Sequence, residues 1–133
     1  MLEEKYIIFN VLKILLIEDN LLNQKVVIFY LQKLNGDITA VDNGIDALEI
    51  IKKETFDLIL MDIMLPEKNG YEITVEIRKL EKENKIKNPV PIIALTANTY
   101  DNDRDKCLAA GMNEYLEKPF SAQQLIEMIQ KFV

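Results

Sequence analysis

The side chains in this sequence that are best suited to chemistry are carboxylates, a hydroxyl and an ammonium, and they follow apolar runs. Those residues are Glu18, Asp19, Asp62, Thr96 and Lys118. Carboxylates brought close together repel one another, and a hard divalent cation among them removes that repulsion. Oxygen ligands of this kind suit Mg²⁺, whereas a lysine and a threonine suit the oxygens of a phosphoryl group. The set therefore predicts magnesium-assisted phosphoryl chemistry if the fold brings these residues together.

Taken singly, each of these residues has an ordinary structural interpretation. An acidic pair after a strand is usually a solvated loop or a helix cap, Thr96 can end a strand, and Lys118 can be a surface charge. Asp62 is the strongest signal, because a carboxylate directly after the buried run 58–61 is costly without a partner. Their joint occurrence at strand ends is what favours a functional site.

Apolar runs alternate with amphipathic segments about five times, which is typical of a parallel sheet covered by helices on both faces. The predicted fold class is α/β, a (βα)₅ doubly wound sheet. In such sheets ligands gather at the carboxyl ends of the strands, where the residues above lie. The predicted strands are Lys13–Ile17, Asp37–Val41, Leu58–Met61, Ile92–Leu95 and Glu114–Leu116.

The predicted helices begin at capping side chains or carry apolar stripes. Asn20, Asn43 and Ser121 are the expected caps of the first, second and fifth helices. In the first helix, Leu22, Val26 and Tyr30 form one stripe, with Val27, Leu31 and Leu34 beside it. The five predicted helices cover 20–34, 43–53, a segment around 73–80, 101–110 and the segment after Ser121.

Composition limits the function further. A length of 133 residues fits one domain, and the net charge of −6 argues against direct nucleic-acid or membrane contact. The absence of histidine excludes a phosphohistidine carrier and a Ser-His-Asp triad. A lone Cys107 suits the cytoplasm, and the apolar stretch 6–17 is too short to span a bilayer. We expect residues 1–12 to be an N-terminal extension or linker remnant and 13–133 to be the domain.

Four blocks of the sequence together resemble the receiver domains of response regulators. The blocks are ILLIEDN at 14–20, LMDIMLP at 60–66, IIALTAN at 92–98, and AGM at 110–112 with KPF at 118–120. The residues of these blocks are most similar to those of receivers carried at the C-termini of hybrid sensor histidine kinases. The resemblance covers about 13–133 and implies a flavodoxin-like sheet with strand order 2-1-3-4-5, the order of a chemotaxis receiver.

The resemblance also implies a metal site. By it, Asp62 is the phospho-acceptor, and Asp19 and Asp62 ligate Mg²⁺ together with the backbone carbonyl of Met64, while Glu18 holds a metal-bound water. The acceptor would take its phosphoryl group from a histidine kinase or a histidine phosphotransfer protein. We expect the protein to be a monomer or a weak dimer, either as a stand-alone regulator or as part of a hybrid kinase.

The remaining roles implied by the resemblance concern the phosphoryl group and the switch. Thr96 and Lys118 would bind phosphoryl oxygens, and Tyr115 would swing inward on activation. The Lys118–Pro119 peptide would be cis, as is frequent in this family. The sequence departs from the family at Asn69, where an aspartate usually precedes the glycine, and an asparagine can serve the same turn.

Two other functions remain open at this point. The same fold could be a phosphate-independent docking module, but such a module has no need of all the acidic, hydroxyl and lysine residues. A metal-dependent phosphatase with an aspartate nucleophile would need a second carboxylate two residues later, where Met64 stands.

Overall fold

The structure, a computed structural model, describes residues 11–97 and 103–133. Within these residues, five parallel strands form one sheet in the order β2-β1-β3-β4-β5. This confirms the α/β doubly wound fold and the expected strand order. The strands are β1 Leu12–Ile17, β2 Gly36–Val41, β3 Leu58–Asp62, β4 Ile92–Thr96 and β5 Glu114–Glu117.

Helices connect successive strands, as the alternation of patterns predicted. The helices are α1 Leu21–Tyr30 with a following 3₁₀ turn Leu31–Lys33, α2 Gly44–Lys53, α3 Gly70–Glu83, α4 Asp103–Ala110 and α5 Ala122–Gln130. Asn20, Asn43 and Ser121 each accept a hydrogen bond from a backbone N–H of the first turn, which confirms them as caps. None of the helices in 11–97 and 103–133 is long and apolar enough to cross a membrane.

The core lies in two layers because successive residues of a strand point to opposite faces of the sheet. On one face, Ile14 and Leu16 of β1 pack in the cluster formed with α1 and α5. On the other face, Leu15 and Ile17 pack in the cluster formed with α2, α3 and α4. Strands β3 and β4 are buried along their whole length, as expected for strands covered on both sides.

The first helix differs from its prediction. The α-helix ends at Tyr30, and the segment tightens into a 3₁₀ turn in which the N–H of Leu34 donates to the carbonyl of Leu31. The two apolar stripes also differ in burial. The stripe 27, 31 and 34 is buried, whereas Leu22 and Val26 are 69% and 39% exposed. The apolar surface of this helix is wider than the sheet and α5 can cover, so periodicity alone could not identify the buried stripe.

Candidate functional site

The predicted site residues meet at the carboxyl edge of the sheet. Ile17 pairs with Met61, so Glu18 and Asp62 are the next residues of two neighbouring strands. Asp62 pairs with Leu95, which places it one residue from Thr96 in the register of the next strand. The backbone N–H of Lys118 donates to the carbonyl of Thr96 at 2.7 Å, which brings the end of β5 to the same edge.

Three carboxylates form an acidic cluster at this edge, as the sequence predicted. Carboxylate oxygens of Glu18, Asp19 and Asp62 lie within 4.8 Å of one another. Glu18 and Asp62 are buried, and Asp19 is exposed. The pKa of Asp19 is raised, first because its surroundings remove water from the carboxylate and second because of the hydrogen bond and charge of Glu18. The cluster therefore favours a proton or a cation at Asp19.

Lys118 compensates part of this negative charge. Its Nζ lies 3.0 Å from Oε1 of Glu18 and 3.7 Å from Oδ1 of Asp62. The other carboxylate oxygen of Glu18 accepts from the backbone N–H of Asn20 at 3.2 Å. With all groups ionised, three carboxylates and one ammonium carry −3 + 1 = −2. The all-oxygen donor set and this net charge fit a hard divalent cation such as Mg²⁺.

The backbone around Asp62 is held by the loop that follows it. Oδ1 of Asp62 accepts from the N–H of Met64 at 3.1 Å, and the N–H of Gly70 donates to the carbonyl of Ile63 at 3.0 Å. A Cβ at Gly70 would lie 2.7 Å from the carbonyl oxygen of Asp62, so only glycine fits there without a shift. The sequence suggested Gly70 only as part of a turn. The residues next to it in the chain do not indicate that it approaches β3 closely.

Asn69 begins α3 with a capping box. Its side chain accepts from the N–H of Glu72 at 3.0 Å, and the Glu72 carboxylate accepts from the N–H of Asn69 at 3.1 Å. Asn69, which was expected only to serve the turn before Gly70, therefore also caps the helix.

The predicted switch residues lie on the two strands at one side of the acidic cluster. Thr96, the last residue of β4, is buried. Tyr115 is half-buried, pairs with Ala94 and packs against the core cluster on the face of α4. The Lys118–Pro119 peptide is cis, which confirms that expectation. The loop that follows Thr96 lies mostly outside the described residues, since 98–102 are not among them.

Sequence reasoning missed two features next to the acidic cluster. The first is an exposed apolar surface, here called the α1 face, made of Leu21, Leu22, Val26 and Phe29, which are 39% to 69% exposed. Val26 lines a groove whose other walls include Glu18 and Lys118, so this face adjoins the site. The second is Gln24, whose amide Nε2 donates to the backbone carbonyl of Glu18 at 2.7 Å.

Residues 14–130 match the family model described as the response regulator receiver domain. The chain belongs to this family. The predicted resemblance to response regulator receivers is thus confirmed.

Curated relatives of this receiver include a hybrid histidine kinase and a response regulator. It is 45% identical to hybrid signal transduction histidine kinase B of Dictyostelium discoideum over 90% of this chain and 6% of that protein. It is 38% identical to response regulator mcs4 of Schizosaccharomyces pombe over 91% of this chain and 27% of that protein. The chain therefore spans a small part of the length of the curated relatives that it matches.

Solved structures that are similar to this chain are also receiver domains. The receiver domain of sensor histidine kinase PA1611 from Pseudomonas aeruginosa is 44% identical to this chain. The match has a TM-score of 0.81 and covers 92% of this chain and 98% of that one. That structure contains a magnesium ion coordinated in the active site cleft. The Saccharomyces cerevisiae complex of the histidine phosphotransfer protein Ypd1 with the Ssk1 receiver domain matches with 34% identity and a TM-score of 0.86, over 95% and 91% of the two chains.

Proposed function

We propose that this receiver takes a phosphoryl group from a phosphohistidine donor onto the carboxylate of Asp62, and that Mg²⁺ is bound when it does so. The observation that carries the proposal is the meeting of Asp62, two further carboxylates and the ammonium of Lys118 at one edge of the sheet. A purely docking module needs no such convergence, because binding a protein does not require buried like charges to be held together.

The proposed metal ligands are a carboxylate oxygen of Asp19, a carboxylate oxygen of Asp62 and the backbone carbonyl of Met64. Glu18 acts through a water, since its two carboxylate oxygens already bond Lys118 and the N–H of Asn20. The similar PA1611 receiver has a magnesium ion coordinated in its active site cleft, which supports Mg²⁺ as the metal. When bound, the ion neutralises negative charge on the acidic cluster and on the transferring phosphoryl group.

In the proposed reaction, a carboxylate oxygen of Asp62 attacks the phosphorus of the donor's phosphohistidine. A P–O bond forms, the P–N bond breaks, and the electron pair of that bond returns to the imidazole nitrogen. Lys118 already lies 3.7 Å from Oδ1 of Asp62, so a small movement away from Glu18 would bring it to a phosphoryl oxygen. Thr96 supplies a neutral donor for another phosphoryl oxygen. The same residues would support hydrolysis of the acyl phosphate by water.

Asp62 is buried, so a partner reads the phosphate through a change elsewhere on the surface. We propose that the Thr96 hydroxyl draws its loop toward the phosphoryl group and that Tyr115 then turns inward. The half-buried ring of Tyr115 is amphipathic, so it can occupy either position. NMR with and without beryllofluoride tests this relay. If Thr96→Ala leaves the response of Tyr115 unchanged, the relay does not operate.

The α1 face is the proposed docking surface of the phosphohistidine donor. It is apolar and exposed, and it adjoins the groove that leads to Glu18 and Lys118. The similarity to the Ssk1 receiver, which was crystallised with the histidine phosphotransfer protein Ypd1, supports a donor of that class. We further propose that the receiver is otherwise a monomer or weak dimer and that it acts in the cytoplasm.

Donor docking can be tested separately from chemistry. With Ypd1 as donor, Leu22→Ala and Phe29→Ala should slow phosphotransfer, whereas phosphorylation by acetyl phosphate should keep its rate. Val75→Ala is the matched control, because Val75 is also exposed but lies on α3. Equal slowing with both donors, or slowing by the control, would contradict a docking role for the α1 face.

The function itself is tested with acetyl phosphate and intact-mass spectrometry. We expect one phosphoryl group per chain with Mg²⁺, almost none with a chelator, and none in Asp62→Asn. Absence of phosphorylation of the unmodified protein under all these conditions would favour the phosphate-independent docking module.

A further inference from the structure

Gln24 connects α1 to the acidic cluster through the backbone. Its side-chain amide reaches back from the first turn of the helix and donates to the carbonyl oxygen of Glu18 at 2.7 Å. The acceptor is a carbonyl, so the amide must present its NH₂ group there. Gln24 is half-buried and lines the same groove as Asp19. No motif in the sequence indicated this contact, because it joins a helical residue to a residue six positions earlier.

The Glu18 carbonyl needs a partner that regular structure does not supply. The last sheet bond on this side is donated by the N–H of Glu18 to the carbonyl of Val41, and the first helical bond runs from Gln24 to the carbonyl of Asn20. The Glu18 carbonyl comes after the last hydrogen bond of the sheet and before the first hydrogen bond of the helix. The glutamine side chain therefore provides a bond that neither the sheet nor the helix makes.

This bond fixes the peptide unit that joins Glu18 to Asp19. The N–H of Glu18 is held by Val41 and its carbonyl by Gln24, so the plane of the next peptide cannot rotate freely. Asp19 is exposed, so packing does little to fix the direction in which its carboxylate points. Besides the hydrogen bond with Glu18, the direction of the Asp19 side chain depends on the peptide that precedes it.

We propose that Gln24 is a positioning residue for the metal site, which holds the Glu18–Asp19 peptide so that the Asp19 carboxylate faces Asp62. This inference rests on the proposed function of Asp19 as a magnesium ligand. Outer residues that orient a metal ligand typically change metal affinity tenfold to a hundredfold. Gln24 acts on one ligand through one backbone bond, so the low end of that range, about tenfold, is expected.

The variant Gln24→Met tests the inference, since methionine has a similar length and no N–H donor. Isothermal titration calorimetry with Mg²⁺ should give a Kd about tenfold weaker than that of the unmodified protein. Gln24→Asn keeps the amide but is one methylene shorter, so it should also bind Mg²⁺ more weakly and serves if the methionine variant does not fold. Gln123→Met is the control, because Gln123 lies on α5 and bonds only Glu127 among the contacts described, and its Kd should not change.

A second measurement separates positioning from a merely structural role. Mg²⁺ stabilises the folded state by an amount set by its Kd, so urea unfolding is followed with Mg²⁺ and with chelator. A positioning role predicts that the stabilisation gained from Mg²⁺ shrinks in Gln24→Met. A structural role predicts lower stability in both conditions with the same gain, and that result would overturn the inference.

Mg²⁺ binding by the unmodified protein distinguishes a failure of the positioning role from a failure of the metal site. If the unmodified protein binds Mg²⁺ and both Gln24 variants bind it within twofold, the positioning role is wrong and the metal site stands. If the unmodified protein does not bind Mg²⁺, the proposed metal site is wrong and the positioning role falls with it.

Discussion

Replacing Asp19 by asparagine should stabilise the metal-free protein, although it removes a proposed ligand. The carboxylates of Glu18 and Asp62 lie within 4.8 Å of Asp19, and at that separation two unit charges in water interact with about 0.9 kcal/mol. Because Glu18 and Asp62 are buried and Asp19 is partly shielded from water, the value for water is a lower limit for each repulsion. Two such repulsions amount to about 1.7 kcal/mol, and the attraction of Lys118 offsets part of them. We therefore expect a gain of about 1 kcal/mol in the free energy of unfolding.

The pH dependence of this gain follows from the raised pKa of Asp19. Below the ordinary aspartate pKa of about 4, the carboxyl is protonated in both the folded and the unfolded state, so the repulsion is absent. As the pH rises through the raised pKa, Asp19 ionises in the folded state, and its repulsion with the other carboxylates lowers the free energy of unfolding. The difference between Asp19→Asn and the unmodified protein should therefore appear above about pH 4 and be complete once the pH exceeds the raised pKa of Asp19.

The assay is urea unfolding followed by circular dichroism, in chelator and in Mg²⁺. The order should reverse with Mg²⁺, because the unmodified protein gains stability from the ion and Asp19→Asn gains much less. Asp37→Asn is the control, since Asp37 lies at the start of β2 near Lys13. Removing its charge should not increase the free energy of unfolding. A destabilised Asp19→Asn in chelator at neutral pH, or an equal gain from Mg²⁺ in both proteins, would refute the reasoning.

Two further predictions concern the groups around the acidic cluster, both measured by urea unfolding in chelator. Gly70→Ala should cost about 1–3 kcal/mol because its Cβ would lie 2.7 Å from the carbonyl oxygen of Asp62. Gly36→Ala, whose nearest contact would be 3.7 Å, should cost less than 1 kcal/mol, and equal costs would exclude the close approach as the cause. Lys118→Met should cost about 1–2 kcal/mol, less than for a fully buried pair, because it leaves the Glu18 carboxylate buried beside other negative charge. An unchanged stability would mean that this ion pair contributes little.

The centre of the sheet could be predicted because β1, β3 and β4 contain continuous apolar runs that end in polar residues. The strands that proved to be central are those with the longest Ile- and Leu-rich runs, as in β3 and β4. The helix caps were predictable for a similar reason, since Asn20, Asn43 and Ser121 each stand before an amphipathic segment and act within one turn. Signals of this kind are local in the chain.

What could not be predicted depends on contacts between distant residues. The ion pair of Lys118 with Glu18 joins residues one hundred positions apart, and the approach of Gly70 to Asp62 depends on the path of a loop. The exposure of Leu22 and Val26 depends on how much of α1 the sheet and α5 cover. Each of these features required the assembled structure.

The most direct test of the central claim is to locate the phosphoryl group. The protein is treated with acetyl phosphate and Mg²⁺, the acyl phosphate is reduced with borohydride, and the reduced residue is identified by peptide mass spectrometry. We expect modification of Asp62 alone, with the signal abolished by chelator. Modification of Glu18 or Asp19 instead, or labelling that persists undiminished in Asp62→Asn, would contradict this expectation.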